Sequence, residues 1–146
     1  MGEIVRVKSV TPNEIMRERR SVVLCAAWAV LEEELKRSGY MPISLNLPLA
    51  RKLVERDEKG RADFVTEDAL SLLGNADKVF LQDFEILFDP RYRLDVIRTF
   101  GTIARSRKLV VKWCGNFDWD TLVYGAPEYP DYKRYPIVNY DVTCVI

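Results

Sequence analysis

The sequence predicts a single three-layer α/β domain over residues 1–146, with a mainly parallel sheet, helices on both faces and a C-terminal antiparallel edge. Three observations predict it. Short runs that are apolar throughout, such as Val22–Leu24 and Val79–Leu81, have the length and character of strands buried on both faces. Stretches of helical periodicity separate those runs, and that alternation builds parallel sheets. A chain of 146 residues buries such a core without disulfide or metal staples.

Thr11-Pro12-Asn13-Glu14 opens the first helix: the threonine caps, the proline suits the first turn, and Glu14 completes a capping box. This helix is expected to run to about Arg20. Ser21–Ala27 reads as a buried strand that passes directly into a helix from Trp28 to Lys36, ended by Gly39. Met41–Leu47 is a second strand and Pro48–Glu55 a short helix. Arg56–Ala62, charged and centred on Gly60, is expected to be a solvated loop; Thr66 caps the next helix and Gly74-Asn75 ends it. Lys78–Leu87 holds the clearest strand signal. Asp89-Pro90 restarts a helix whose apolar stripe is Val96, Ile97, Phe100, Ile103 and Ala104. Lys108–Trp113 is a further strand, and Leu122–Tyr124 and Ile137–Ile146 are extended. Alternation of Val138, Tyr140, Val142, Cys144 and Ile146 predicts one buried face for the last of these.

Composition removes several functions. The 22 basic residues cancel the 22 acidic ones, and affinity for nucleic acid comes mostly from neutralising phosphates. Nucleic acid is therefore expected as a partner only within a complex, through a local basic patch. No apolar run approaches the roughly 20 residues of a membrane span, and Met1–Arg6 has no signal-peptide pattern. A cytoplasmic protein without membrane contact is expected. Cys25, Cys114 and Cys144 lie far apart, as buried thiols of a reducing compartment do. The absence of histidine removes the commonest general base and leaves no partner to activate a thiol. A metal nuclease of the restriction type needs an acid two residues before its strand lysine, and Val110 stands there before Lys112.

One constellation points to a chemistry. In P-loop NTPases an apolar strand ends in an acid that holds Mg²⁺, and an earlier strand feeds a glycine-rich loop that cradles phosphates. Val79-Phe80-Leu81-Gln82-Asp83-Phe84-Glu85 has the first half. Asp83 sits where a Mg²⁺-binding aspartate would, and Glu85 where a water could be activated. The second half is missing: no glycine occurs between Gly2 and Gly39, no lysine between Lys8 and Lys36, and Trp28 stands where the loop should open. A backbone that approaches a pyrophosphate closely needs glycine, so the usual cradle is excluded.

Phe84-Glu85-Ile86-Leu87-Phe88-Asp89-Pro90, Ala104-Arg105-Ser106-Arg107 and Val110-Val111-Lys112-Trp113-Cys114-Gly115 resemble the small P-loop protein of bacteriophage-exclusion (BREX) defence systems, the BrxF type. Leu122-Val123-Tyr124-Gly125-Ala126-Pro127 and Pro130-Asp131-Tyr132-Lys133-Arg134-Tyr135 are similar to that family's tail, with prolines and tyrosines in register. The resemblance covers roughly Lys78 to Tyr135. It implies a P-loop-like fold and a place in an antiviral complex beside a large ATPase and DNA-modifying or DNA-recognising proteins. The lost loop sets ATP binding apart from what the resemblance carries over.

Two readings of the site follow. In the first, the chain is a non-catalytic subunit that works through protein contacts and needs no cofactor. Its contacts come from the aromatic and proline-rich tail, with Trp113, Tyr124, Tyr129, Tyr132, Arg134 and Tyr135 as candidates and Trp119 within the same run. In the second, it binds ATP with Mg²⁺ at an atypical site, with Asp83 as metal ligand, Glu85 beside it and Arg105 on the phosphates. Partners in either reading are other phage-defence proteins, and homo-oligomerisation is left open. The plainer alternatives are local pairing of Asp83 and Glu85 with Arg91 or Arg93, and dipole compensation by Arg105, Arg107 and Lys108 at a helix C-terminus. For the tail, the plainer alternative is packing of the rings onto the sheet. Arg17, Arg19 and Arg20 read as a solvated helix face; a DNA-binding accessory role through such residues is the third possibility.

Overall fold

The computed structural model describes all of residues 1–146. Its main sheet has six strands, β1 (Glu3–Val5), β2 (Ser21–Leu24), β3 (Met41–Ser44), β4 (Lys78–Gln82), β5 (Lys108–Lys112) and β9 (Val142–Val145), in the order β1-β9-β2-β5-β4-β3. Every pairing in it is parallel. Helices α1 (Pro12–Arg17) and α2 (Ala29–Arg37) cover one face, where Ile15, Leu31 and Leu35 pack on Val22, Leu24, Phe80 and Val110. Helices α3 (Asn46–Val54), α4 (Glu58–Leu72) and α5 (Val96–Ala104) cover the other, with Leu49, Val65, Ile97 and Phe100 against Val23, Leu81 and Val111. The result is the expected three-layer α/β arrangement. Strand residues alternate between the two cores, as the period of two requires.

Strands β6 (Asn116–Asp118), β7 (Thr121–Tyr124) and β8 (Lys133–Pro136) form a separate antiparallel sheet. It leaves β5 through Trp113 and Gly115. A Cβ on Gly115 would collide with the Val123 carbonyl, so only glycine lets the hairpin close there. An aromatic cluster fixes this sheet to the core: the Phe88 ring stacks on Tyr124 at 3.8 Å between centroids and meets Trp113 edge-on at 5.8 Å. Phe84 joins Phe100 edge-on at 5.3 Å beneath them.

Several expectations are corrected. Antiparallel pairing is confined to the separate sheet; β9 is an inner strand between β1 and β2, buried on both faces. The alternation Val142, Cys144, Ile146 therefore does not mark a half-exposed strand, because Thr143 and Val145 are buried too. Helix α1 ends three residues early because the Glu18 carboxylate accepts the Arg19 and Arg20 amides at 3.1 and 3.0 Å and turns the chain into β2. Burial opposes the charge on Glu18, but the Arg20 guanidinium and amide outweigh it and hold the carboxyl below its ordinary range. Helix α4 begins at Glu58 instead of Thr66. Asp57 caps it by accepting the Gly60 amide at 2.6 Å, so the charged run is a helical first turn. The buried Asp68 of α4 receives a two-pronged bond from Arg56, at 2.8 and 2.9 Å. Strand β4 stops at Gln82, and Glu85–Phe88 is a 3₁₀ turn. The next helix starts at Val96 under an Asp95 cap, after a second 3₁₀ turn at Pro90–Tyr92.

Candidate functional site

Ligands in open parallel sheets bind at the carboxyl ends of the strands, where the strand order reverses. Here the chain passes from β2 outward to β3, returns through β4 and β5, and crosses to β9 on the other side of β2. The crevice of interest therefore lies over the carboxyl ends of β2, β5 and β4.

The β2–α2 connection is four residues long, Cys25, Ala26, Ala27 and Trp28. The Cys25 amide donates to the Val145 carbonyl at 2.8 Å and the Trp113 amide to the Leu24 carbonyl at 3.0 Å, so both flanks of the connection are held in the sheet. Trp28 takes the N-cap position without a side-chain cap bond and packs partly buried against the α1/α2 core. Glu32 lies in the first turn of α2, and Lys112 at the end of β5 reaches it at 3.4 Å. A phosphate approaching the α2 amides would meet the Glu32 carboxylate, with Lys112 already engaged by it.

Asp83 follows β4 in the left-handed region, with φ of 50°. Its carboxylate accepts the Ser44 hydroxyl at 2.7 Å, and its carbonyl accepts the amides of Leu45 and Asn46 at 3.0 and 2.7 Å. Asn46 in turn accepts the Ile86 amide at 2.9 Å. The turn after β4 is thus tied to the start of α3, and this lacing stabilises the left-handed backbone that Asp83 tolerates better than most residues. Asp83 and Glu85 are both exposed, and neither pairs with Arg91 or Arg93; Arg91 instead grips Asp89 at 2.7 Å. Of the three cysteines expected to be buried only Cys144 is; Cys25 is half-buried and Cys114 exposed, because it follows β5 where the chain leaves the main sheet. Partial desolvation of the Cys114 sulfur, then the charges of Glu85 and Asp83, push its thiol up to about 12. No group of three or more carboxylate or thiol side chains is arranged to hold a metal ion.

Arg105 lies at the other end of the molecule. It caps the C-terminus of α5 just before β5 begins, at the amino end of the strands, and is far from Asp83 by construction of a parallel sheet. The triad of Asp83, Glu85 and Arg105 does not form.

The tail residues divide. Trp113 and Tyr135 are buried, and Tyr124 is held under Phe88, so these three rings fix the small sheet to the core and are not available to a partner. Tyr129 is exposed, and Arg134 bonds the Tyr132 hydroxyl at 3.2 Å and Asp118 at 3.3 Å on the outer surface. Trp119 is the most exposed large apolar side chain: 90% of it is open to solvent. It sits at the first position of a two-residue hairpin loop with φ of 60°, a position that favours glycine. Residue type alone hid this; the signal was a Trp-Asp pair between two short alternating segments. Ser44, Glu32 and Lys112 carry no sequence motif; only the fold brings Ser44 to Asp83 and Lys112 to Glu32.

No helix is long and apolar enough to cross a membrane. Comparison of the chain with protein-family models, with curated proteins and with solved structures gives no match.

Proposed function

We propose that this protein is a non-catalytic, P-loop-like subunit of a phage-exclusion defence complex, acting through protein contacts. The four-residue β2–α2 connection, fronted by Glu32 and its partner Lys112, carries the non-catalytic half of this reading. A cradle of backbone amides needs about eight residues and two glycines in that place. Counted from β2, the strand order is 5-1-4-3-2, with one strand inserted between the strand that would feed a phosphate loop and the strand that ends in the acid. A large class of P-loop domains shares that order, and this supports the fold half of the reading. The defence role rests on the motif resemblance between Lys78 and Tyr135.

The contact surface is the hairpin tip. A tryptophan fully in water on a left-handed backbone gives the isolated fold nothing; local strain of this kind costs roughly 1–2 kcal/mol. Tryptophan is also the residue most enriched at binding hot spots. Trp119→Gly fits the backbone and is expected to raise stability by about 0.5–1 kcal/mol.

Two measurements test the reading together. Calorimetric titration with ATP, GTP and ADP in Mg²⁺ is expected to give no heat of binding, and micromolar affinity would establish the nucleotide-binding alternative. In a bacterium carrying the gene with the rest of its defence system, Trp119→Gly is expected to lower phage protection at least about tenfold. Unchanged plaque counts, both for Trp119→Gly and for deletion of the gene, would remove the defence role.

A further inference from the structure

The amino end of the sheet carries a feature that none of the above uses. An open groove of about 590 Å³ runs between the outer face of α5 and the segment that leads into β9. Arg98 and Arg105 stand two helical turns apart along one wall, about 10 Å at 1.5 Å per residue. Arg19 lines the end of the groove beside the start of β2. Arg19 and Arg105 have no carboxylate within ion-pair distance. Arg98 has one long pair with Asp95, at 3.5 Å, and lies over the Tyr140 ring. Asp95 is satisfied without it, by the Tyr140 hydroxyl at 2.8 Å and the Arg98 amide at 3.1 Å. The one acid that lines the groove, Asp141, is engaged with the Met1 amine at 3.1 Å.

Two further observations are independent of these charges. Ser21, on the groove's lining, has a fully buried hydroxyl with no partner in the protein. Leaving such a group unpaired is unfavourable, and a polar ligand that reached it from the groove would supply the missing partner. Gly101 lies on the groove face in the interior of α5, where glycine destabilises a helix by roughly 0.5–1 kcal/mol relative to alanine. Nothing in the fold requires it: a Cβ there would meet no atom within 4 Å. Its effect is to keep the groove wall low between the two arginines.

We propose that this groove binds the phosphodiester backbone of a nucleic acid strand. The geometry favours a chain of single charges over a compact polyphosphate. The arginines are strung out along the groove: Arg98 stands in the first turn of α5, where Asp95 already accepts an amide, and Arg105 at its C-terminal cap, which presents carbonyls and not amides to a concentrated anion. The neutral total charge does not prevent this, because charges more than about 10 Å away are screened at 0.1 M salt.

The test is fluorescence anisotropy of a fluorescein-labelled 20-nucleotide single strand, and of its duplex, with the full chain. Three phosphate contacts predict that affinity falls about 20- to 40-fold between 50 and 200 mM salt. Arg98→Glu with Arg105→Glu is expected to weaken binding at least about tenfold with the fold intact by circular dichroism. Gly101→Leu, which keeps every charge and fills the groove, is expected to weaken it several-fold. Trp119→Gly is expected to leave it unchanged, which separates this site from the hairpin tip. Binding that ignores salt, or that survives the double charge reversal, overturns the proposal. So does absence of oligonucleotide binding alongside tight binding of inorganic triphosphate, which would make the groove a small-anion site.

Discussion

Lys112 Nζ lies 3.4 Å from Glu32 Oε1, so the lysine that ends β5 is held by an acid of the first turn of α2. Two features then stand against a phosphate, the ion pair and the shortness of the connection, and they separate by mutation. Glu32→Ala frees Lys112 but leaves the four-residue connection. It is expected to gain no measurable ATP affinity in a calorimetric titration up to millimolar nucleotide. Micromolar binding by this variant would show that the ion pair alone closes the site.

Asp68 is buried on α4 and gripped by Arg56 through both carboxylate oxygens. The Arg56 guanidinium holds its carboxyl below the ordinary range, against the opposing effect of burial. A carboxyl depressed on folding stabilises the folded state above its unfolded pKa, about 4, and this stabilisation fades as pH falls through the lower folded value. Asp68→Asn is therefore expected to lower the melting temperature at pH 7 and to flatten its decline between about pH 4 and pH 2. Parallel melting curves for the two proteins across that range would contradict the assignment.

Phe88 is the hinge pin between the two sheets, stacked on Tyr124 and edge-on to Trp113. Phe88→Ala is expected to cost about 3–5 kcal/mol, the usual range for emptying a fully packed phenylalanine site. Urea unfolding followed by tryptophan fluorescence would report it, since Trp113 loses its neighbour directly. Phe88→Leu, which keeps most of the volume, is expected to cost less than half as much. Equal losses for the two would mean that ring stacking and not packing volume joins the sheets.

Cys114 offers a probe of the strand ends. Its side chain is exposed, but its thiol, raised to about 12 by partial desolvation and then by Glu85 and Asp83, should alkylate slowly with iodoacetamide at pH 8, with a rate still rising at pH 10. Glu85→Gln removes one of those charges and is expected to lower the midpoint of the rate profile. A midpoint that does not move would place Glu85 out of electrostatic reach of the sulfur.

The parts of the fold legible in the sequence were those fixed by local chemistry. Thr11 caps α1 as read, accepting the Glu14 amide at 3.3 Å, and Gly39 ends the α2 region in the left-handed conformation. Strand ends were read too long at Ala27, Leu47 and Leu87, because hydropathy continues past the point where a neighbouring strand stops offering hydrogen bonds. Helix α4 was hidden because its first turn is all charge and glycine, with the decisive partners Asp57 and Gly60 only three residues apart. Asp83 was correctly placed at a strand end, but its bond to Ser44 joins residues 39 apart in sequence. Arg105 was grouped with it wrongly, and here the signal was present. In a parallel β–α alternation every helix-to-strand turn lies at the amino end of the sheet, opposite every strand-to-helix turn.

The place of β9 has a consequence for how the molecule assembles. Ser21 pairs with Val142, and β1 reaches the sheet only through β9, so the left half of the sheet waits for contacts more than a hundred residues apart. Long-range parallel pairing of that kind slows folding, because loop closure precedes any return in contacts. Until β9 arrives, the Val22-Val23-Leu24 edge of β2 is open to another chain. Arg19 and Arg20 lie just before Ser21 at the amino end of that edge, where their charge opposes edge-to-edge association during that interval.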